Sequence, residues 1–457
     1  MKDTIANISN TSPETAVSKP VAIYGGPLFD GKGSVFEDGA AFVSKGKIVA
    51  VGSEESVFNK IPKAVDLEVY DTMGRVIFPG MINLHHHFYR TLAMGLQSFL
   101  PNTDVQKHFE QFWWKFDKCL DDEIVQLSAA VGVLNSIRAG VTTIFDLHSS
   151  PVFVSGTLEK IASVIKRAEI EAVLSYEISE RNGEDIFIRS VDENLDFIEN
   201  HKQDACLRGM IGIRANSSLS EKSLTLLSGK TDDNAGIHIH LGSEHDIRYC
   251  KGLNYTGPVE RLRSFDLINP KSLLVGGARL DKDEIDQIIK NEAVIVQTPN
   301  SNIHYPTDSI PLPASEKLEI GIGTSGYSSN ILESLRFEYN HYRQSGVENV
   351  PLLSFLETQL QTNSDFAGRY FTGKPGILEK GANADIVVFD YIPVTPFQTD
   401  NYLQHLLFGI QDVPAQMVMT KGRFIYNNHT FLTLDEEIII NESQKASRRL
   451  WEIFTKN

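Results

Sequence analysis

Three consecutive histidines, His85-His86-His87, close a short apolar stretch, and their spacing is suited to holding a metal ion. On a strand, residues i and i+2 point to one side, so His85 and His87 share a face while His86 points away. Two neutral imidazoles leaving one strand end can converge on one divalent cation. A bare histidine triplet can equally be a solvated surface run. Here Val76-Ile77-Phe78 precedes a Pro79-Gly80 break, Met81 to Leu84 resume the apolar run, and Phe88-Tyr89 follow it, which argues for a pocket.

Such a strand needs a scaffold that buries it on both faces. From Val21 to Val76 the chain reads as short strands and turns: Val21 to Tyr24, Ala40 to Val43 and Ile48 to Val51, each followed by a glycine-containing turn. After Gly80 the pattern changes to apolar runs alternating with helical stretches. The runs are Val141 to Asp146, Ala172 to Tyr176, Met210 to Arg214, Gly236 to Leu241, Leu273 to Gly277, Ala293 to Gln297 and Leu318 to Thr324. With the strand before His85 they make eight, which predicts an α/β fold: a (β/α)₈ TIM-type barrel whose strand C-termini carry the site. Asp121 to Ala139 is one helical stretch, with Gly140 as its stop.

Past the barrel, short strands return at Ala384 to Phe389, Gln416 to Thr420 and Arg423 to Tyr426. Neither chain end has enough strands to cover its own apolar face, so the two are expected to pair into one small β-sandwich domain. The expected division is a flexible segment at 1–20, a composite β domain at 21–78 and 374–440, the barrel at 79–373, and a closing helix at 441–457.

Composition narrows the functional classes. The chain has 457 residues and a net charge of −16, so it offers no electrostatic footprint for nucleic acid or an anionic membrane. No long apolar span is present, and Met1 to Lys19 is polar and rich in Ser and Thr. Cys119, Cys206 and Cys250 are odd in number and far apart, which fits a reducing cytoplasm. The expected ligand is a small molecule, and a homo-oligomer is left open.

PGMINLHHHF, followed by Phe88-Tyr-Arg-Thr-Leu-Ala-Met-Gly-Leu96, resembles the amidohydrolase superfamily. Ala139-Gly-Val-Thr-Thr-Ile-Phe-Asp146, Leu174-Ser-Tyr-Glu-Ile-Ser-Glu-Arg181 and Gly381-Ala-Asn-Ala-Asp-Ile-Val-Val-Phe-Asp390 carry the same resemblance, with His405-Leu-Leu-Phe-Gly409 after them. The likeness is to the chlorohydrolase and aminohydrolase branch with guanine, cytosine and S-adenosylhomocysteine deaminases and, within it, to aminohydrolases linked to selenium metabolism. It runs from about Val21 onward.

The resemblance implies one metal ion, zinc or iron, held by His85, His87 and the fifth-strand His240. His238 shares the face of His240 and reads as a packed or supporting residue. The branch also implies a glutamate after the fifth strand, a histidine ending the sixth and an aspartate ending the eighth. This chain has Ser243, Gly276 and Ser325 at those positions, with Glu244 one residue late. Arg214 replaces a fourth-strand histidine, and Arg279 stands where a second sixth-strand histidine is usual. Asn302, in Pro299-Asn-Ser-Asn302, keeps the Ser-Asn pair, as a ligand contact or as a polar turn. Arg214 and Arg279 suit a carboxylate or phosphate, or else salt bridges to neighbouring acids. Loss of the carboxylate ligand implies weak or absent metal. Loss of the acid and base implies a protein without the standard hydrolytic machinery; the alternative is an altered enzyme for C–N hydrolysis or ring closure. Glu244 could serve as base only if its loop redirects it.

Overall fold

The computed structural model describes residues 19–96, 105–230, 235–304, 317–345 and 351–456. Most of the segment expected to be flexible, residues 1–18, lies outside these. Lys19 pairs with Asp66, and the Pro20 carbonyl accepts from the Glu68 amide.

The strands in chain order begin with β1 (Val21–Phe29), β2 (Val35–Ser44), β3 (Lys47–Ser53), β4 (Glu68–Asp71) and β5 (Ile77–Pro79). The barrel strands are β6 (Met81–His86), β7 (Val141–His148), β8 (Glu171–Tyr176), β9 (Leu207–Gly209), β10 (Ile211–Ile213), β11 (Ile237–Leu241), β12 (Leu273–Gly276), β13 (Val294–Gln297) and β14 (Ile320–Ile322). Then come β15 (Ile386–Phe389), β16 (Ala415–Thr420), β17 (Arg423–Asn427) and β18 (Thr430–Phe431).

Parallel pairing runs β6-β7-β8-β9 and β10-β11-β12-β13-β14. β9 and β10 are one strand interrupted at Met210. Two parallel bridges join the halves, Ile178 to Ile213 and His86 to Ser325, and so close an eight-stranded (β/α)₈ ring. Inside it, Phe145, Val173, Leu273, Val275, Val294 and Val296 form one cluster with Phe366, Tyr370 and Phe371. Their strand neighbours Ile144, Leu174, Leu274 and Ile295 pack in other clusters, as strand alternation requires. Tyr370 donates its hydroxyl to the Lys271 carbonyl (2.6 Å), just before β12, so these aromatics plug the N-terminal end. The open end is where the histidines lie.

Helix α1 (Asp122–Arg138) starts on the Asp121 side chain, which accepts from the Ile124 amide, and stops before Gly140, whose φ is +76°. Three later helices matter below: α2 (Glu244–Gly252), α3 (Ile331–Gln344) and α4 (Leu352–Ala367). The closing helix α5 (Glu436–Lys456) begins earlier than the sequence pattern predicts and packs on α1.

Both chain ends contribute to one nine-stranded sheet. β15 pairs antiparallel with β5 (Val387 opposite Phe78), and the path runs β18-β17-β16-β15-β5-β1-β2-β3, with β4 against β1. β5 leads through Gly80 straight into β6, so the sheet anchors the strand that ends in the histidines. Among the described residues, no helix is long and apolar enough to cross a membrane.

Candidate metal centre

β6 is buried along its whole length, and its last turn of chain is pinned by its neighbours. The Thr324 and Ser325 amides both donate to the His85 carbonyl (3.0 and 2.9 Å), and the Phe88 amide donates to Asp146 Oδ1 (2.7 Å). Gly323 is needed for this approach: a Cβ there would lie 2.7 Å from the His85 nitrogen.

His85, His87 and His240 each offer a ring nitrogen, and the three nitrogens lie within 4.8 Å of one another. Their protonation follows from their partners. Ser175 donates its hydroxyl hydrogen to the Asp146 carbonyl (2.9 Å), so at its contact with His238 Nδ1 (3.3 Å) the ring is the donor. His238 Nε2 is then an acceptor and takes the Nδ1 hydrogen of His85 (2.8 Å). His87 Nδ1 donates to the Leu147 carbonyl (2.6 Å). Both His85 Nε2 and His87 Nε2 are left as bare lone pairs, facing each other at 3.1 Å. His240 Nε2 is buried with no hydrogen-bond partner among the described residues.

Two lone pairs face to face repel unless a cation lies between them. Ligand nitrogens at about 2.0–2.1 Å from a tetrahedral zinc are roughly 3.3 Å apart, close to the spacing here. The pKa directions agree with neutral rings. Burial, then the charges of His240, His238 and Arg90, hold His85 well below the usual imidazole value. Burial and Arg90 do the same for His87, and burial with Arg214 for His240. His238, pushed down to about 3 by burial, supports His85 from behind. His86 points the other way, with Nε2 3.3 Å from Ser329 Oγ and Nδ1 3.5 Å from Asp146.

A cavity of about 880 Å³ opens over this centre. Its lining brings together His240, Arg214, Ser243, Glu244, Gly276, Arg279, Asn302 and Ser325, the positions singled out at the strand ends. Their local roles differ. Ser243 caps α2 by accepting from the Asp246 amide (3.1 Å). Gly276 has φ +105°, a conformation that strains any side-chain-bearing residue. Ser325, at φ +55°, is buried beside the His85 carbonyl. Glu244 pairs with Arg279 (3.2 Å), and these side chains are 63% and 45% exposed.

Sequence reasoning overlooked the charges beneath the mouth. Arg90 is buried, stacks 4.3 Å from the Trp113 ring centre and lies against Gly326, where a Cβ would meet its Cδ at 2.3 Å. Arg181 is held by Asp117, Glu177 (2.9 Å) and Ser149 (3.1 Å). Burial raises Asp117 to about 6 despite Arg181. Both arginines sit inside stretches that carry the family resemblance, and a charged residue so close to an apolar strand end is the signal that marks them.

Comparison with known proteins follows the same lines. Residues 76–425 match the Amidohydrolase family. The chain is 25% identical over 436 residues to a 5-methylthioadenosine/S-adenosylhomocysteine deaminase of Pelotomaculum thermopropionicum, covering 92% of this chain and 96% of that one. It is 24% identical over 437 residues to a 5'-deoxyadenosine deaminase of Methanobrevibacter smithii, covering 91% and 94%. The crystal structure of an adenosine deaminase from Xanthomonas campestris with bound zinc superposes with a TM-score of 0.80 at 18% identity, over 94% of this chain and 98% of that one. With a matched region spanning the barrel and the central strands of the flanking sheet, the chain belongs to the amidohydrolase family.

Proposed function

We propose that this protein holds one divalent ion, zinc or iron, on His85, His87 and His240. It takes a small molecule into the cavity lined by Arg214, Arg279 and Asn302, and it does not deaminate that molecule as its named relatives do. The carrying observation is the composition of the centre: among the described residues, the group able to hold an ion is three histidines with no carboxylate.

An ion held by three imidazoles would supply Lewis acidity and a lowered pKa for bound water. The chain's own residues would have to move the protons. Ser243 is committed to capping α2, and a serine hydroxyl is no base at neutral pH without a partner. Gly276 offers no side chain. Ser325 stands where a carboxylate would both ligate and accept a proton. Glu244 is drawn toward solvent by Arg279. Hydrolysis of a C–N bond requires a base for water and an acid for the leaving nitrogen, each worth about 10²–10⁴-fold. Neither position is filled.

A second reading, an enzyme of altered mechanism for C–N hydrolysis or ring closure, is favoured by the lining position of Glu244: breaking its Arg279 pair would free a carboxylate at the mouth. Metal analysis of protein purified without chelator, paired with a chelator-sensitive activity screen, separates the two. Bound metal with no chelator-sensitive turnover is the expected result, and such turnover would support the second reading. The proposed organisation is a barrel at 79–373, a composite β unit at 21–78 and 374–440 and a closing helix at 441–457, in a reducing cytoplasm consistent with three cysteines outside disulfides.

A further inference from the structure

The lining of the cavity is unusual in one charged group. Arg214, at the end of β10, is only 14% exposed, and its guanidinium makes no hydrogen bond to any described residue. It forms a long ion pair with Glu177, Nε to Oε2 at 3.9 Å, which is beyond hydrogen-bond reach. The other carboxylate oxygen of Glu177 is taken by Arg181 at 3.1 and 2.9 Å. Arg214 is held as well by its cation–π contact with Phe109, 4.4 Å from the ring centre.

A guanidinium carries five N–H donors, and leaving them unmet out of bulk water is costly. Arg214 lines the cavity together with His240, and Arg90 lines it from the β6 side. A divalent ion on the three histidines would therefore sit near two arginines with no carboxylate ligand to offset its charge. Glu177 accepts its hydrogen bonds from Arg181 and none from Arg214, so the Arg214 fork keeps donors for a further anion. Arginine's planar fork matches the paired oxygens of a carboxylate or phosphate.

We propose that the cavity takes a small molecule bearing an oxyanion, a carboxylate or a phosphate, which docks on the Arg214 fork beside the three-histidine centre, and that anion and metal each tighten the binding of the other. This rests on the metal reading above and adds to it the chemical class of the ligand. By linkage the coupling is reciprocal, and coupling between neighbouring sites is typically about 5–150-fold.

The test is a zinc titration of the full chain, stripped with chelator and returned to buffered free zinc, alone and with acetate or methyl phosphate. Zinc affinity should rise roughly five- to a hundred-fold with at least one anion. The one that acts tells whether the ligand is a carboxylate or a phosphate ester. The gain should vanish in Arg214→Gln and persist in part in Arg214→Lys, which keeps the charge without the fork; circular dichroism of both variants confirms that they fold. Zinc binding unchanged by either anion would overturn this proposal and leave the metal reading standing. No zinc binding under any condition would overturn both.

Discussion

On one side of the barrel mouth, β6 and β11 carry three neutral imidazoles, and buried partners assign the protons of His85 and His87. On the other side, the ends of β12 and β14 and the turn after β11 bring Gly276, Ser325 and Ser243 to the same mouth, the positions at which the family resemblance implies proton-transfer groups. The first side is built for a cation. The second is built for backbone geometry: a left-handed glycine, a buried serine bonded through its amide, and a helix cap. On the proposed reading, metal binding and proton transfer, usually found together in a hydrolytic centre, would be separated in a single barrel mouth. The ligand side depends on rings on two strands, whereas the relay side depends on single residues at several ends.

The largest effect should come from attacking the intact side. His87→Ala removes a ligand and leaves the His85 lone pair alone, so zinc affinity should fall by more than about 100-fold, read by competition with a zinc-binding dye. His238→Ala should cost roughly 10–100-fold, the range for groups that orient a ligand without touching the ion. An unchanged affinity would mean that the His85 proton is not set by His238.

Repairing the other side should have a smaller effect of opposite sign. Ser325→Asp adds a negative charge beside the centre at a φ of +55° that aspartate tolerates, and should tighten zinc by roughly tenfold. Turnover should not follow, because Gly276 and Ser243 still provide no acid or base. The smallest effect concerns Asp246, which accepts from the Gly242 and Ser217 amides and holds the turn after β11. Burial raises its carboxyl from 3.8 to about 6. Between those values the unfolded chain releases a proton that the fold retains, so stability falls as pH rises through the window and levels off above it. Asp246→Asn should flatten that decline in denaturant melts taken from pH 4 to 7.

Much of this was legible in the sequence. The eight apolar runs name the barrel strands in order, because strands buried on both faces read as continuous apolar stretches. The His85/His87 pair was legible from strand alternation alone. The His238 proton relay was not: it depends on Ser175, from another strand, having already given its hydrogen to Asp146. The conformation of Gly276 was hidden for the same reason, since a substitution list shows a missing histidine but not a φ of +105° that makes one hard to accommodate. Arg90 and Arg181 stood in plain view within resemblance motifs. Their importance emerges only when the fold brings them under one cavity, with Asp117 and Glu177 hydrogen-bonded to Arg181 and Arg214 left with a longer, 3.9 Å ion pair to Glu177.

The central claim, a metal centre without hydrolytic turnover, is tested most directly by ammonia release from zinc-loaded protein. Adenosine, 5'-deoxyadenosine and S-adenosylhomocysteine would be offered in turn, before and after chelation. The account predicts no ammonia above the protein-free control in either condition. Chelator-sensitive release at about 1 s⁻¹ or faster, the lower end of ordinary enzyme turnover, would contradict it.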